Sequence, residues 1–240
     1  MVIFLQTMIP SSAIGLSIVG DANVGKSSLF YRMIHGEFPE KDLESTVYET
    51  YDRYMQNETK QKDGSDVLKG ICVRIRDTKG GFLQNMDEFQ HDAVEQQILE
   101  EVFSSSTFVL MYDLSNAKSI KNLKNSLETI FQQKKFKKPS LSDDRSVILK
   151  NPCLIIGNKL DLVKNEKRKN FVTETFCNEY HIDHLEISAK EGTNVELLEQ
   201  KIFELCSRQC TWVKREKFSL QRILSWPKRR FSKPIKPVSQ

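Results

Sequence analysis

The stretch Gly20-Asp-Ala-Asn-Val-Gly-Lys-Ser27 places two glycines five positions apart, the second followed at once by a lysine and a serine. That order of residue types suits the close wrapping of a polyphosphate. Gly20 and Gly25 let backbone N–H groups approach phosphate oxygens, Lys26 brings a point charge to the outer phosphates, and the Ser27 hydroxyl can bind Mg²⁺. The motif follows the apolar run "AIGLSIVG" and opens the helix-like "GKSSLFYRMIHG". This is the strand-then-helix setting the motif requires, and the positive end of the helix adds to the phosphate site. Asp21, Ala22, Asn23 and Val24 within the loop, and Ser28 in the first helical turn, complete the phosphate-binding set. The competing reading is a chance glycine turn, and the flanking strand and helix weigh against it. Alone, the motif defines only a phosphate-loop nucleotide binder.

A second polar group ends the run "ICVRIRD", where Asp77 to Gly80 reads D-x-x-G. Asp77 would hold Mg²⁺ directly or through water, and the Gly80 N–H would meet the terminal phosphate. A lone D-x-x-G is common by chance; its place at a strand end strengthens it. "GNKLD" (Gly157–Asp161) and "ISAK" (Ile187–Lys190) also end strands. The Asp161 carboxylate can accept two hydrogen bonds from guanine N1–H and the 2-amino group, a donor pair adenine lacks. Asn158 can bond guanine N7 or brace the phosphate loop, and the Lys159 stem can lie over the ring. The Ala189 N–H can donate to guanine O6, with Ser188 and Lys190 on either side. A phosphate-loop ATPase or kinase is the alternative, and N-K-x-D argues against it.

These residues need strands to deliver them. "TVYETYDRYM", "FVLMYDL", "PCLIIGNK" and "HLEIS" read as further strands, with helix-like segments over 85–103, 117–135, 166–179 and 193–209. Such alternation predicts an α/β sheet with helices on both faces and ligands at the carboxyl ends of the strands. "NETKQKDGSDVLKG" is polar, contains Asp63-Gly64, and reads as an extended hairpin tip, and "KKFKKPSLSDDR" reads as an inserted surface loop. The 240 residues suffice for one large domain with extensions. The boundaries expected are an N-terminal extension over 1–11, the domain over 12–210 and a tail over 211–240.

Composition places the chain among ordinary soluble proteins, with 39% hydrophobic and 28% charged residues. The net charge of +4 is uneven: the tail from Thr211 holds nine basic residues against Glu216 alone, hence +8, which leaves −4 for residues 1–210. The five cysteines match neither a zinc spacing nor a disulfide framework, so a reducing, cytoplasmic setting is expected. The apolar start "MVIFLQTMIP" lacks a basic leading region, and Gly is absent at position 2, which argues against N-myristoylation.

With all four motifs in this order, the sequence resembles the Ras superfamily of small GTPases over about residues 12–209. The resemblance implies a P-loop GTPase fold, α/β with a mostly parallel six-stranded sheet, and a GTP/GDP switch that uses Mg²⁺. By spacing from Lys26, Phe38 resembles the aromatic that packs on the guanine, and Thr46 resembles the threonine that binds Mg²⁺ and the γ-phosphate. The implied metal set is therefore Ser27, Thr46 and Asp77. "FPEKDLESTVYETY" resembles Rho proteins, but the 26 residues between Asp161 and Ser188 leave no room for the Rho insert helix. "SAKEGTNVELLEQKIFEL" is closer to Ras or Rab proteins, so the chain reads as a divergent member.

Gly81 stands where the family carries the glutamine that orients the attacking water, and Ala22 stands where many Ras proteins have glycine. Gln84 lies three positions late, so no catalytic residue is assigned, and slow hydrolysis is expected. Two readings follow: a switch with weak intrinsic hydrolysis, or an essentially non-hydrolysing docking module at a membrane surface. Effectors, exchange factors and GTPase-activating proteins are implied but not identified.

The last residues read "KPVSQ" with no terminal cysteine, so the family's usual prenyl anchor is not expected. Its basic residues alternate with Trp212, Phe218, Leu220, Ile223, Leu224, Trp226 and Phe231, which suits an anionic membrane surface or a calmodulin-like acidic partner. A solvated, disordered extension is the bland reading, and nucleic-acid binding lacks any folded motif. The expected location is the cytoplasm, peripheral on a membrane. Cys206 and Cys210 are candidates for acylation, with Cys206 expected to face the core.

Overall fold

The structure, a computed structural model, describes residues 6–10, 13–41, 43, 48–60, 66–83, 93–134, 152–163, 177–210 and 212–215. In chain order these form β1 (Gln6–Pro10), β2 (Ile14–Gly20), α1 (Lys26–His35), β3 (Tyr48–Lys60), β4 (Asp66–Thr78) and α2 (Ala93–Ser104). Then follow β5 (Thr107–Asp113), α3 (Ala117–Gln133), β6 (Cys153–Asn158), β7 (Asp183–Glu186), α4 (Val195–Arg208) and β8 (Trp212–Arg215). The strands lie in the order β7-β6-β5-β2-β4-β1-β8, with β3 also paired to β4.

The six strands β2 to β7 are the mostly parallel sheet expected, with β3 antiparallel to β4. β2, β5 and β6 are buried along their whole length or nearly so, as suits apolar runs covered on both faces. One face packs under α1 and α4 through Leu16, Ile18, Val109, Met111, Leu29, Ile202 and Cys206. The other packs under α2 and α3 through Phe108, Leu110, Tyr112, Ile155, Val102 and Leu127.

Two strands exceed the expected six. β1 runs parallel to the first part of β4, from Gln6 opposite Val67 to Met8 opposite Lys69, and β8 pairs antiparallel with β1. The reason lies in β4, which has 13 residues, whereas β2 pairs with it only from Val73 to Asp77. β1 occupies backbone groups of the edge that β2 does not reach, which an open sheet would leave as a template for aggregation. The polar flanks read as a hairpin tip are therefore strand as far as Lys60 opposite Asp66, and residues 61–65 lie outside the described set. There the ladder with β4 overrides polar composition.

The helices expected over 117–135 and 193–209 are α3 and α4. α2 begins at Ala93, and residues 84–92 lie outside the described set. So does most of the 166–179 segment, of which 177–179 are described and helical, and so does the inserted loop beyond Lys134. The register aligns the strand ends that matter. Ile18 faces Asp77, Gly20 faces Met111, Asp113 faces Asn158 and Gly157 faces Glu186. Their following loops gather at one end of the sheet, where ligands of α/β proteins bind.

Candidate functional site

At the phosphate end, both motif glycines are required by close approach. A Cβ on Gly20 would lie 2.3 Å from the Met111 carbonyl oxygen, and one on Gly25, at φ 93°, would lie 2.4 Å from Asn158 Nδ2. Lys26 is buried at the start of α1, and its Nζ donates to the Asp21 carbonyl at 2.8 Å. Burial lowers its pKa, and the charges of Asp77 and then Asp21 oppose that shift. Asn122 of α3 donates to the Asp21 carboxylate at 2.8 Å and so steadies the loop from outside.

The segment after Asp77 lies directly on this loop. Thr78 Oγ1 donates to the Ile18 carbonyl at 2.8 Å, and a Cβ on Gly80 would fall 2.4 Å from Ala22 Cα. The Gly81 N–H donates to the Gly20 carbonyl at 3.1 Å, with Gly81 in the left-handed region at φ 72°. Gly81 is thus more than a missing side chain: its backbone adopts a conformation that other residues resist. The residues at this end fit Mg²⁺ by donor chemistry. Ser27 offers a hydroxyl, and Asp77 offers a fully buried carboxylate whose charge acts on Lys26, and oxygen donors suit a hard cation. Thr46 and Gln84 lie outside the described residues.

At the other end, Asn158 takes the bracing role. Its Nδ2 donates to the Val24 carbonyl at 2.9 Å, and its Oδ1 accepts from the Ala189 N–H at 3.0 Å. One buried side chain therefore ties the phosphate loop to the "SAK" loop, and the Ala189 N–H expected to face guanine O6 here serves Asn158. Ser188 Oγ donates to Asp161 Oδ1 at 2.6 Å while accepting from the Glu191 N–H at 3.0 Å, which orients the carboxylate. Lys159 pairs with Asp113 at 2.7 Å.

These groups surround one pocket lined by Gly25, Ser28, Phe38, Asn158, Lys159, Asp161, Ala189 and Lys190, all expected from the sequence, together with Leu162. Leu162, 61% exposed, was missed; an apolar residue just after N-K-x-D was the available signal. Arg32 was missed too. It reaches from α1 to donate to the carbonyls of Ala189 and, at 2.8 Å, Lys190. Helical spacing puts Arg32 on α1, but only the fold shows that α1 passes beside residues 157 positions later.

A glycine-rich phosphate loop on a parallel sheet, tied to a pocket with an oriented carboxylate, defines a nucleotide-binding α/β protein of the phosphate-loop class. The chain belongs to the Ras family, whose pattern matches residues 16–210. It is similar to the Ras-related protein RabS of Dictyostelium discoideum, 28% identical over 204 residues covering 80% of this chain and 81% of that one. It is also similar to the GTP-binding protein Di-Ras2 of Mus musculus, 27% identical over 195 residues, 81% of this chain and 82% of that one. The Ras-related protein Rab-27B of Rattus norvegicus is 24% identical over 201 residues, 82% of this chain and 80% of that one. The chain is therefore a divergent small GTPase at the level of family. Among the described residues no helix is long and apolar enough to cross a membrane.

Proposed function

We propose that this protein binds GTP and GDP as a molecular switch whose own hydrolysis is weak. The observation that carries the reading is the Asn158 bridge, because it fixes the distance between a phosphate loop and a pocket whose Asp161 carboxylate is already oriented. Asp161 would accept from the guanine edge, Phe38 and Lys159 would bound the ring, and the loop amides and Lys26 would hold the phosphates. Mg²⁺, held by Ser27, Asp77 and Thr46, would supply charge neutralisation at the phosphates.

Two departures slow the chemistry. Gly81 carries no side chain to orient water, and the Ala22 methyl stands where an incoming arginine would approach. Ras itself hydrolyses GTP unaided at only roughly 10⁻⁴ per second. These departures favour a second reading, a GTP-bound docking module at an anionic membrane or an acidic protein, reached through the +8 tail.

Displacement of fluorescent GDP from the full-length protein tests the first point: GTP and GDP should clear it at concentrations far below those of ATP. Equal displacement by ATP would refute the guanine reading. Single-turnover hydrolysis with and without cell extract then separates the two modes, since a docking module stays GTP-bound in both.

A further inference from the structure

Lys159 occupies a demanding position. Its backbone is left-handed, at φ 64°, which costs a non-glycine residue about 1 kcal/mol. Its side chain lines the base pocket, yet a lysine stem has four rotatable bonds and no inherent reason to lie along the wall. The structure supplies a reason in Asp113, the last residue of β5. Asp113 Oδ2 meets Lys159 Nζ at 2.7 Å, and Asp113 is itself more than nine-tenths buried. The other oxygen, Oδ1, accepts from the Ser115 N–H at 2.8 Å and the Ser115 hydroxyl at 2.6 Å, so the carboxylate cannot swing. The sheet places it there, because Asp113 is the register partner of Asn158, and the Leu114 N–H donates to the Asn158 carbonyl at 2.9 Å. Burial pushes the Asp113 carboxyl up, but hydrogen bonds from Lys159 and Ser115 outweigh it and hold it below the usual carboxylate range. The Asp113 carboxylate is therefore charged at neutral pH.

We infer that Asp113 is a positioning residue of the guanine pocket: it pins the Lys159 ammonium so that the stem stands as a preformed wall, and it thereby sets how long a nucleotide stays bound. The inference rests on the pocket being a guanine site, as proposed above. Without the pin, Lys159 samples many rotamers and must be ordered at each binding event. That lost ordering appears mainly in the dissociation rate, because contacts within a formed complex govern escape more than encounter.

The test measures dissociation of fluorescent GDP from full-length wild type and from Asp113→Asn, Asp113→Glu, Lys159→Ala and Asp113→Asn/Lys159→Ala. Asp113→Asn keeps the shape and removes the charge, so dissociation should rise roughly ten-fold, the scale of a hydrogen bond to a charged group. Asp113→Glu should recover part of the loss. In the Lys159→Ala background, Asp113→Asn should add little, because the group it positions is gone. A merely structural role would instead lower the melting temperature in both backgrounds and give additive effects. Dissociation from Asp113→Asn within two-fold of wild type, or additivity with Lys159→Ala, overturns the inference while wild type still prefers GDP to ATP. Loss of that preference in wild type overturns the guanine reading and this inference with it.

Discussion

Asn158→Ala should damage both ends of the site at once. The side chain makes two buried hydrogen bonds, to the Val24 carbonyl and from the Ala189 N–H, and both partners are at most 2% exposed. Alanine leaves a buried acceptor and a buried donor unsatisfied, each at about 1–3 kcal/mol. Asn158 borders the pocket, so water can reach part of the gap, and the lower half of the combined range applies, about 3 kcal/mol in all. For a chain of this size that amounts to a fall in melting temperature of about 6–12 °C. Loops no longer held in register should also release nucleotide sooner, by up to about a hundred-fold if the whole loss is felt in the complex. Asn158→Asp separates the two halves, since it still accepts from Ala189 but turns an acceptor toward the Val24 carbonyl. It should be no better than alanine.

The assay is thermal melting by circular dichroism with saturating Mg²⁺ and GDP, paired with fluorescent GDP dissociation from the same preparations. Melting of Asn158→Ala within 2 °C of wild type, with unchanged dissociation, would show that the bridge does not join the loops in solution and would refute the reasoning.

Asp161→Ala should abolish the preference for GDP over inosine diphosphate, and Ser188→Ala should weaken it less, because Ser188 only orients the carboxylate; displacement titrations decide both. Gly81→Gln must place a glutamine at φ 72°, at a cost of about 1 kcal/mol. It should melt a few degrees lower without faster single-turnover hydrolysis, and acceleration of about ten-fold or more would show that this segment leaves Gly20 when GTP is bound. The full-length chain should co-sediment with anionic vesicles and a chain ending at Cys210 should not, each basic residue near the surface adding about 1 kcal/mol. Equal pelleting of the two would exclude the tail as anchor. Trp226→Ala should weaken that binding at every salt concentration, whereas neutralising Lys228, Arg229 and Arg230 should weaken it mainly at low salt.

The site was readable from sequence where its chemistry is local. Gly20, Gly25 and Lys26 must be neighbours for one loop to wrap a phosphate, and Asn158, Lys159 and Asp161 must be neighbours to face one base. The long-range supports were not readable. Arg32 and Asn122 gain their roles only when α1 passes the Ala189 carbonyl and α3 passes Asp21. Asp113 offered a signal, a polar residue closing an apolar strand, but its partner depends on the β5–β6 register. Gly81 shows a different limit. A family comparison reports which side chain is missing, whereas the left-handed backbone and the bond to Gly20 are properties of the folded segment. Cys206 is buried as the helical spacing implied, with its thiol pushed by burial up to about 12, so it is poorly placed for acylation.

The added strands relate the tail to the site. Arg215 of β8 stands opposite Thr7, and Thr7 stands opposite Leu68 near the start of β4. From Leu68 to Asp77, beside the phosphate loop, is nine residues of one strand, roughly 30 Å at the usual rise. β8 also runs antiparallel to β1, and β1 runs parallel to β4, so the chain leaves β8 heading away from the pocket. A surface that captures residues just beyond Arg215 therefore holds the sheet by the end opposite the nucleotide loops. β4 is the element common to both ends: it carries Asp77 at one terminus, pairs with β3 along its length, and offers Val67 to Lys69 to β1 at the other. β4 is thus one continuous backbone from Asp77 beside the phosphate loop to the end where ladder hydrogen bonds through β1 join it to β8, and the cross-strand pair of Arg74 and Asp52, bonded at 2.7 and 2.8 Å, ties β3 to it midway.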